Sequence, residues 1–390
     1  MGPRTARFFG GRMTIPTIMI SAGEASSDMY AARLATALRA RTGAQIFGMG
    51  GSRMAEAGVE LVADYHEVAV VGITEVLHKI PTVVSVQRRL AREARHRRPA
   101  LAILVDSPGT HLGVARRLKN AGIPVGYFIG PQIWAWRAGR IRVVKRLVKR
   151  MVVIFPFEEK IYRDAGVPVN FVGHPLVDVV RPTMSREEFA TKHGLDAGRP
   201  MVTVMPGSRR GEIARHFGLL MEACERLRQN SKAGNDIQFV HAAAPGLKPE
   251  QFAPFMRSGL HVTRVEGATY DALAAADCAI VASGTATVEA ALLGTPMVVV
   301  YRVEPTTAFF LKRMIRTPFI SMVNLIAERR VVPELMQDGF TPAAVEAEVR
   351  RLLESPVARD EMKAGLAEVR AKLGPGGAIE RAADVFAGML

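Results

Sequence analysis

The chain has 390 residues, 48% of them hydrophobic, and a formal net charge of +15. That length exceeds what one ordinary core organises and predicts two domains. No run approaches the ~18–20 apolar residues of a spanning helix, which excludes a helical bilayer crossing, and the cationic excess calls for an anionic partner or surface: nucleic acid, an acidic membrane face or phosphorylated substrates.

Residues 1–13 are basic but lack the apolar core and cleavage site of a signal peptide; they read as a disordered tail, with Met1 or Met13 as the start. Short apolar strands then alternate with helical stretches. Strands are expected at 17–20, 45–49, 101–105, 125–129 and 151–155, with a helix over 29–41. The sequence turns polar over 181–199, and the pattern restarts with strands at 201–205, 237–241, 262–265, 278–282 and 296–300. Helices are expected over 285–293 and 342–373, with an amphipathic one over 377–390. This alternation predicts an α/β chain of two doubly wound Rossmann-type domains facing a central cleft, an arrangement for joining two substrates. The boundaries are a first domain over 14–180, a second over 181–374, and a C-terminal helix over 375–390 able to cross back to the first. Cys224 and Cys278 sit in apolar surroundings, as buried thiols in a reducing cytosol do.

The stretch 278–301 carries the clearest site signal. Ser283, Gly284 and Thr285 break an apolar strand before a helix, where backbone N–H groups hold anions. Glu289 falls one turn further along the same face and is placed to accept both hydroxyls of a ribose. Ordinary N-cap chemistry and a solvated glutamate are the competing reading. A second loop follows the strand at 201–205: Gly207 lets backbone approach a phosphate, Ser208 offers a cap, and Arg209 a bidentate fork. Two such loops in one domain suit a nucleoside diphosphate, against a capped turn with exposed arginines.

In the first domain the loop with Gly23, Glu24, Ser26 and Asp28 links strand to helix at the corresponding sheet edge; the competing reading is that Glu24 and Asp28 only favour the helix N-terminus and Gly23 only permits the turn. Asp106 ends another strand there, as a base for an attacking hydroxyl or as an Asx turn before Pro108. His111 lies nearby, to assist or as a surface residue. Trp134 and Trp136, with Gln132, precede a basic stretch over 137–150 in which Arg142, Lys145, Arg146 and Lys149 have helical spacing. Aromatics beside cations suit a membrane interface or a sugar face, and core packing competes. The apolar stretch 68–77 reads as core or as a patch dipping into lipid, and a solvated helix face competes for the basic clusters at 88–98 and 137–150. No histidine, cysteine or carboxylate set has metal spacing, so no metal is expected. Neither first loop carries G-x-G-x-x-G and no G-x-S-x-G elbow appears, which argues against nicotinamide enzymes and serine hydrolases.

Taken together, SAGEASSD at Ser21, GMGG at Gly48, VVGITEVL at Val70, GPQIWAWR at Gly130, FPFEEKIY at Phe155, FVGHPLVD at Phe171, PGSRRGEI at Pro206, ASGTATVEAALLGTPMVVVYR at Ala282 and NLIAERRVVPEL at Asn324 resemble one family: lipid-A-disaccharide synthase, an inverting GT-B glycosyltransferase. The resemblance implies a GT-B-like fold and transfer of the sugar of UDP-2,3-diacylglucosamine to 2,3-diacylglucosamine 1-phosphate. The products would be a β-1,6-linked disaccharide 1-phosphate and UDP. It implies Asp106 as general base, and Arg209, Ser283, Gly284, Thr285, Glu289 and Asn324 on the UDP side. Gly23, Glu24, Ser26, Gln132 and Trp136 are acceptor-side candidates. It further implies no cofactor, no divalent metal, no nucleic acid, a homodimer, and cytoplasmic work on the inner face of a Gram-negative-type inner membrane. Another GT-B UDP-sugar transferase or a UDP-sugar epimerase is the neighbouring reading; a basic binding module fits the two phosphate loops poorly. The sequence departs from the family twice. Its usual Asp-x-Pro-Asp-Phe-Asn is Asp106-Ser107-Pro108-Gly109-Thr110-His111 here, without the second carboxylate and the asparagine. Its usual glycine before Asp28 is Ser27, expected to narrow backbone freedom in the first loop.

Overall fold

The structure is a computed structural model that describes residues 15–68, 73–131, 139–304, 308 and 317–390. The expected tail at 1–13, Gln132, Trp134, Trp136 and the side chains of 71–77 lie outside the described residues. The chain divides into two compact units. Of the described residues, those up to 131, 139–175 and 377–390 belong to the first, and 176–376 to the second.

The first unit is built on a seven-stranded parallel sheet of β1 (Thr17–Ala22), β2 (Gln45–Gly50), β3 (Glu60–Asp64), β4 (Leu101–Val105), β5 (Val125–Phe128), β6 (Arg150–Val153) and β7 (Val169–Phe171), in the order β3-β2-β1-β4-β5-β6-β7. The second has six strands, β8 (Met201–Met205), β9 (Gln238–Ala243), β10 (Val262–Glu266), β11 (Cys278–Ala282), β12 (Met297–Tyr301) and β13 (Glu334–Met336), in the order β10-β9-β8-β11-β12-β13. Central strands of a parallel sheet are covered on both faces and so read as unbroken apolar runs. β4 (LAILV) and β11 (CAIVA) are buried at every residue. Three strands that hydrophobic patterning did not announce, β3, β7 and β13, all lie at sheet edges. An edge strand pairs on one side only and stays largely half-buried, so ELVAD, VNF and ELM carry no such run.

In each sheet the chain winds outward from one central strand and then returns to start the other half beside it. The reversal falls between β1 and β4 in the first unit and between β8 and β11 in the second. Register puts Ala22 beside Val105 and Met205 beside Val281, so the loops leaving these strands start side by side.

The first unit's helices are α1 (Ala25–Thr42), α2 (Ser52–Glu56), α3 (Ile73–Arg97), α4 (Pro108–Asn120), α5 (Arg140–Leu147) and α6 (Pro156–Asp164). α1 starts ahead of the expected residue 29 because the Ser27 hydroxyl accepts the Glu24 N–H at 3.0 Å and closes the first turn. Asp28 is buried and caps the next helix instead: its carboxylate accepts the N–H groups of Gly51 (2.6 Å) and Arg53 (3.2 Å) at the start of α2. The basic helix expected over 137–150 stops at Leu147. Val148 is extended and the Lys149 N–H bonds to Val125 O at 2.8 Å on the way into β6, so Lys149 leaves the helical face. α3, α4 and α5 adjoin in that order.

The second unit holds α7 (Leu176–Val179), α8 (Arg186–His193), α9 (Arg210–Asn230), α10 (Thr269–Ala275), α11 (Thr285–Leu293), α12 (Met322–Ala327), α13 (Pro342–Glu354) and α14 (Pro356–Lys372). The last helix, α15 (Ala378–Ala387), is part of the first unit and packs on α1. Arg41 of α1 pairs with Glu380 (2.6 Å) and Asp384 (2.7 Å), and Phe386 is fully buried edge-on to Phe128, over Gly126. Exposed ion pairs contribute little, whereas a buried ring contributes its whole transfer and cavity terms. Phe386→Ala should therefore lower stability by about 3–5 kcal/mol and Asp384→Asn by less than about 1 kcal/mol. Urea unfolding of the two variants checks the ranking, and equal midpoints would refute it.

Candidate active site

In the first unit, two loops meet at the sheet's reversal. A Cβ on Gly23 would fall 2.5 Å from Ser107 Cβ and Oγ, so only glycine lets the loops after β1 and β4 approach this closely. Asp106 (φ 50°) and Ser107 (φ 48°) are both left-handed, a conformation that costs non-glycine residues roughly 1–2 kcal/mol each. The Asp106 carbonyl supplies the compensation. It accepts the Tyr127 hydroxyl at 2.7 Å and the His111 Nδ1–H at 2.7 Å. The Asp106 N–H donates to Phe128 O, and the Ser107 carbonyl accepts the first amides of α4.

His111 is fully buried. A carbonyl only accepts, so Nδ1 carries the proton, and Nε2, 2.9 Å from Ser21 Oγ, accepts that hydroxyl. Burial lowers its pKa to about 4 and the ring stays neutral. The sequence allowed a surface residue or one that assists Asp106; the surface reading is corrected, because the ring is sealed and both nitrogens are used inside the fold.

The Asp106 carboxyl is half-buried beside Glu24. Its pKa is raised to about 7, first by loss of water, then by the Glu24 charge and a hydrogen bond between the two carboxyls; the Ser107 N–H pulls the other way. Glu24 is exposed, and Ser26 Oγ donates to its Oε1 at 2.7 Å. The fold thus brings Glu24 to Asp106, with Gly23 against Ser107 and Ser26 on Glu24. Ser27 causes no backbone strain, since it lies inside α1 and outside the positive-φ residues. Its hydroxyl takes the N–H groups of Gly23 (3.1 Å) and Glu24 (3.0 Å) and donates to Glu24 O.

In the second unit, Gly207 is left-handed (φ 118°), and a Cβ there would collide with Glu212. Glu212 holds the loop: Oε2 accepts the N–H groups of Ser208 (2.9 Å) and Arg209 (3.2 Å), and Oε1 pairs with the Arg209 guanidinium at 3.0 Å. The amides expected to face a phosphate are therefore already engaged by a carboxylate; the Arg209 side chain remains two-thirds exposed. Glu212 was missed in the sequence, although a glutamate at the third position of α9 is a capping signal. His216, also buried, donates Nδ1–H to Pro206 O (2.8 Å) and accepts the Arg302 N–H (3.0 Å), tying this loop to the end of β12.

The loop after β11 is different. Gly284 and Thr285 are exposed, Ser283 is half-buried, and no side chain caps the start of α11. Its first N–H groups are open to an anion, with the positive end of the helix behind them. Glu289 lies half-buried one turn on. Tyr270 donates to its Oε1 at 3.3 Å, and burial raises its pKa. Asn324 behaves unlike a direct ligand contact. Its Oδ1 accepts the N–H groups of Val331 and Val332, and its Nδ2 donates to Val332 O and to Glu334 Oε1. All four hydrogen-bonding positions are spent within the protein, and the side chain is fully buried. Asn324 therefore shapes the 331–334 segment rather than offering an amide to a ligand. Among the described residues no cluster of three metal-ligating side chains occurs.

A family model described as Lipid-A-disaccharide synthetase matches residues 18–378. Lipid-A-disaccharide synthases from Solibacter usitatus and Geobacter sulfurreducens are 48% and 46% identical over 95% and 96% of this chain and 96% and 97% of theirs. The one from Myxococcus xanthus is 46% identical over 95% of this chain and 96% of its own. Among solved structures, UDP-GlcNAc 2-epimerase from Neisseria meningitidis, bound to UDP-GlcNAc, aligns with a TM-score of 0.67 at 12% identity over 95% of this chain and 99% of that one. The calicheamicin glycosyltransferase CalG4 aligns with a TM-score of 0.60 at 15% identity over 97% and 99%. At such identities the structures speak for the fold alone, which is GT-B. The near full-length sequence match goes further: the chain belongs to the lipid-A-disaccharide synthetase family and is a glycosyltransferase of lipid A biosynthesis.

Proposed function

We propose that the chain transfers the 2,3-diacylglucosaminyl group of UDP-2,3-diacylglucosamine to the 6-hydroxyl of 2,3-diacylglucosamine 1-phosphate, with inversion. Asp106 takes the hydroxyl proton as the acceptor oxygen bonds to the anomeric carbon. The bond from that carbon to the diphosphate breaks, its electron pair leaves on UDP, and a β-1,6 linkage results. On the donor side, the open N-terminus of α11 at Ser283–Thr285 and the exposed Arg209 guanidinium offset charge on the departing diphosphate. Glu289 accepts the ribose hydroxyls.

The observation that carries this reading is the Asp106 carboxyl at the end of β4, whose proton affinity is tuned close to neutrality by burial and by Glu24. A base is most effective when its pKa lies near the working pH. A second feature supports lipid-borne substrates. Arg88, Arg92 and Arg95 are exposed on one face of α3, Arg116 and Lys119 on α4, and Arg142, Lys145 and Arg146 on α5. These helices adjoin, so their cations form one basic face suited to an anionic membrane surface. No helix among the described residues is long and apolar enough to cross a membrane.

Four outcomes test the reading. UDP release from UDP-2,3-diacylglucosamine should require the acceptor and yield a disaccharide; turnover of the UDP-sugar alone would point to an epimerase. Asp106→Asn should reduce kcat by about 10²–10⁴-fold while UDP affinity is retained, as calorimetry would record. The base works only when ionised, so kcat/KM, which reports ionisation of the free enzyme, should fall about tenfold per pH unit below about pH 7 and level off above it. A profile flat down to about pH 5 would remove Asp106 from that role. Binding to phosphatidylserine vesicles should weaken as salt rises, and neutralising Arg88, Arg92 and Arg95 should cost about 1 kcal/mol each.

A further inference from the structure

We propose that His111 is a positioning residue for the reaction: through its Nδ1–H on the Asp106 carbonyl it holds the left-handed turn that aims the Asp106 carboxyl at the acceptor. The inference rests on the reading of Asp106 as base.

The physical argument starts from strain. Two consecutive left-handed residues at 106 and 107 do not persist unless their surroundings over-determine them. The groups that do so converge on one atom, the Asp106 carbonyl oxygen, which accepts from His111 Nδ1 and from the Tyr127 hydroxyl, each at 2.7 Å. If that oxygen loses a donor, the backbone relaxes toward the ordinary right-handed or extended region, and the carboxyl, on the same α-carbon, swings with it. His111 is itself fixed at its far side, where Nε2 accepts the hydroxyl of Ser21 on β1 at 2.9 Å. The relay thus runs from the central strand β1, through a buried neutral ring on α4, to the loop that carries the base. Its position is also the one where the family pattern has asparagine. An asparagine amide can donate one hydrogen bond to the same carbonyl but cannot span to Ser21 as a ring does, so histidine here adds an anchor to the first strand.

The groups facing this corner set the pH behaviour. They are Glu24 from the loop after β1, Tyr127 from β5, His111 from α4 and, acting on Tyr127, Arg140 of α5 and Tyr162 of α6. Asp106 is protonated more readily than a free aspartate because it is held away from water against Glu24. A carboxyl released from that place returns toward the usual carboxylate range.

The experiment compares His111→Leu, His111→Asn and Tyr127→Phe by kcat, KM for both substrates, UDP affinity and the acid limb of kcat/KM. His111→Leu should lose about ten- to hundredfold in kcat, the scale of one buried hydrogen bond, with KM and UDP affinity little changed. Its acid limb should move below that of the parent, because the mispositioned carboxyl ionises more easily. His111→Asn should recover most of kcat and restore the limb, and Tyr127→Phe should shift the limb in the same direction as His111→Leu. Should His111→Leu fail to fold, Tyr127→Phe and His111→Asn carry the same readouts. Full kcat in His111→Leu would overturn the proposal. So would a loss of kcat with the acid limb unmoved and no recovery in His111→Asn, since a merely structural role lowers the active fraction without altering the ionisation. Asp106→Asn, assayed beside them, separates the two claims. Parent-like turnover there overturns the base itself; with that variant inactive, the His111 series decides the relay alone.

Discussion

Two parallel strands that start the two halves of a doubly wound sheet end side by side, and the loops leaving them must diverge to opposite faces. That constraint opens a crevice at each reversal and leaves backbone groups there without strand partners. In the first unit the crevice is formed by the loops after β1 and β4, in the second by those after β8 and β11. Glu24 and Asp106 in the first unit, and Arg209, Thr285 and Glu289 in the second, stand at or within about one helical turn of these points, whereas Asn324 does not. The chemistry is placed by sheet topology, and local sequence selects which groups the topology presents.

The loops meet the problem of exposed amides in two ways. Three loops are closed by the protein's own side chains: Ser27 on Gly23 and Glu24, Asp28 on Gly51 and Arg53, and Glu212 on Ser208 and Arg209. The fourth, at the head of α11, is left open. An internal carboxylate satisfies the same donors that an anion would, so only the unclaimed helix start keeps its full attraction for a diphosphate. Two buried neutral histidines, His111 and His216, brace these loops by donating to a carbonyl just beyond a strand. Neutrality matters in both cases, because a charged ring sealed from water would destabilise the fold it braces.

Charge is partitioned accordingly. The cations of α3, α4 and α5 named above are exposed, where water screens them, while the buried carboxylates of Asp28, Asp271 and Glu212 accept backbone N–H groups and that of Glu346 pairs with Arg226 and Arg350. Asp106 is the exception that bears on function: its nearest charged neighbour is Glu24, of like sign, and the resulting preference for a proton is what a base working near neutrality requires.

The sequence by itself determined the α/β class, the central strands and the loops at their ends, because buried parallel strands must be apolar along their whole length and small residues must follow them. It also exposed Asp106 and the stretch 283–289 as candidates, since a carboxylate or a Ser-Gly-Thr break just past such a strand is visible locally. Tertiary structure decided what each side chain faces. Edge strands β3, β7 and β13 escaped notice because pairing on one side demands no apolar run. His111 and Asn324 looked alike in sequence, as polar residues near a site, yet the fold buries both and spends their hydrogen bonds inside the protein, on backbone 5–8 residues away and on the side chains of Ser21 and Glu334. Glu212 and Ser27 were legible as helix-start residues, but that they fill the anion seats of their own loops depends on where the loops bend. A side chain's type is written in the chain; the direction in which it points follows only from the backbone that carries it and the neighbours that remain unsatisfied.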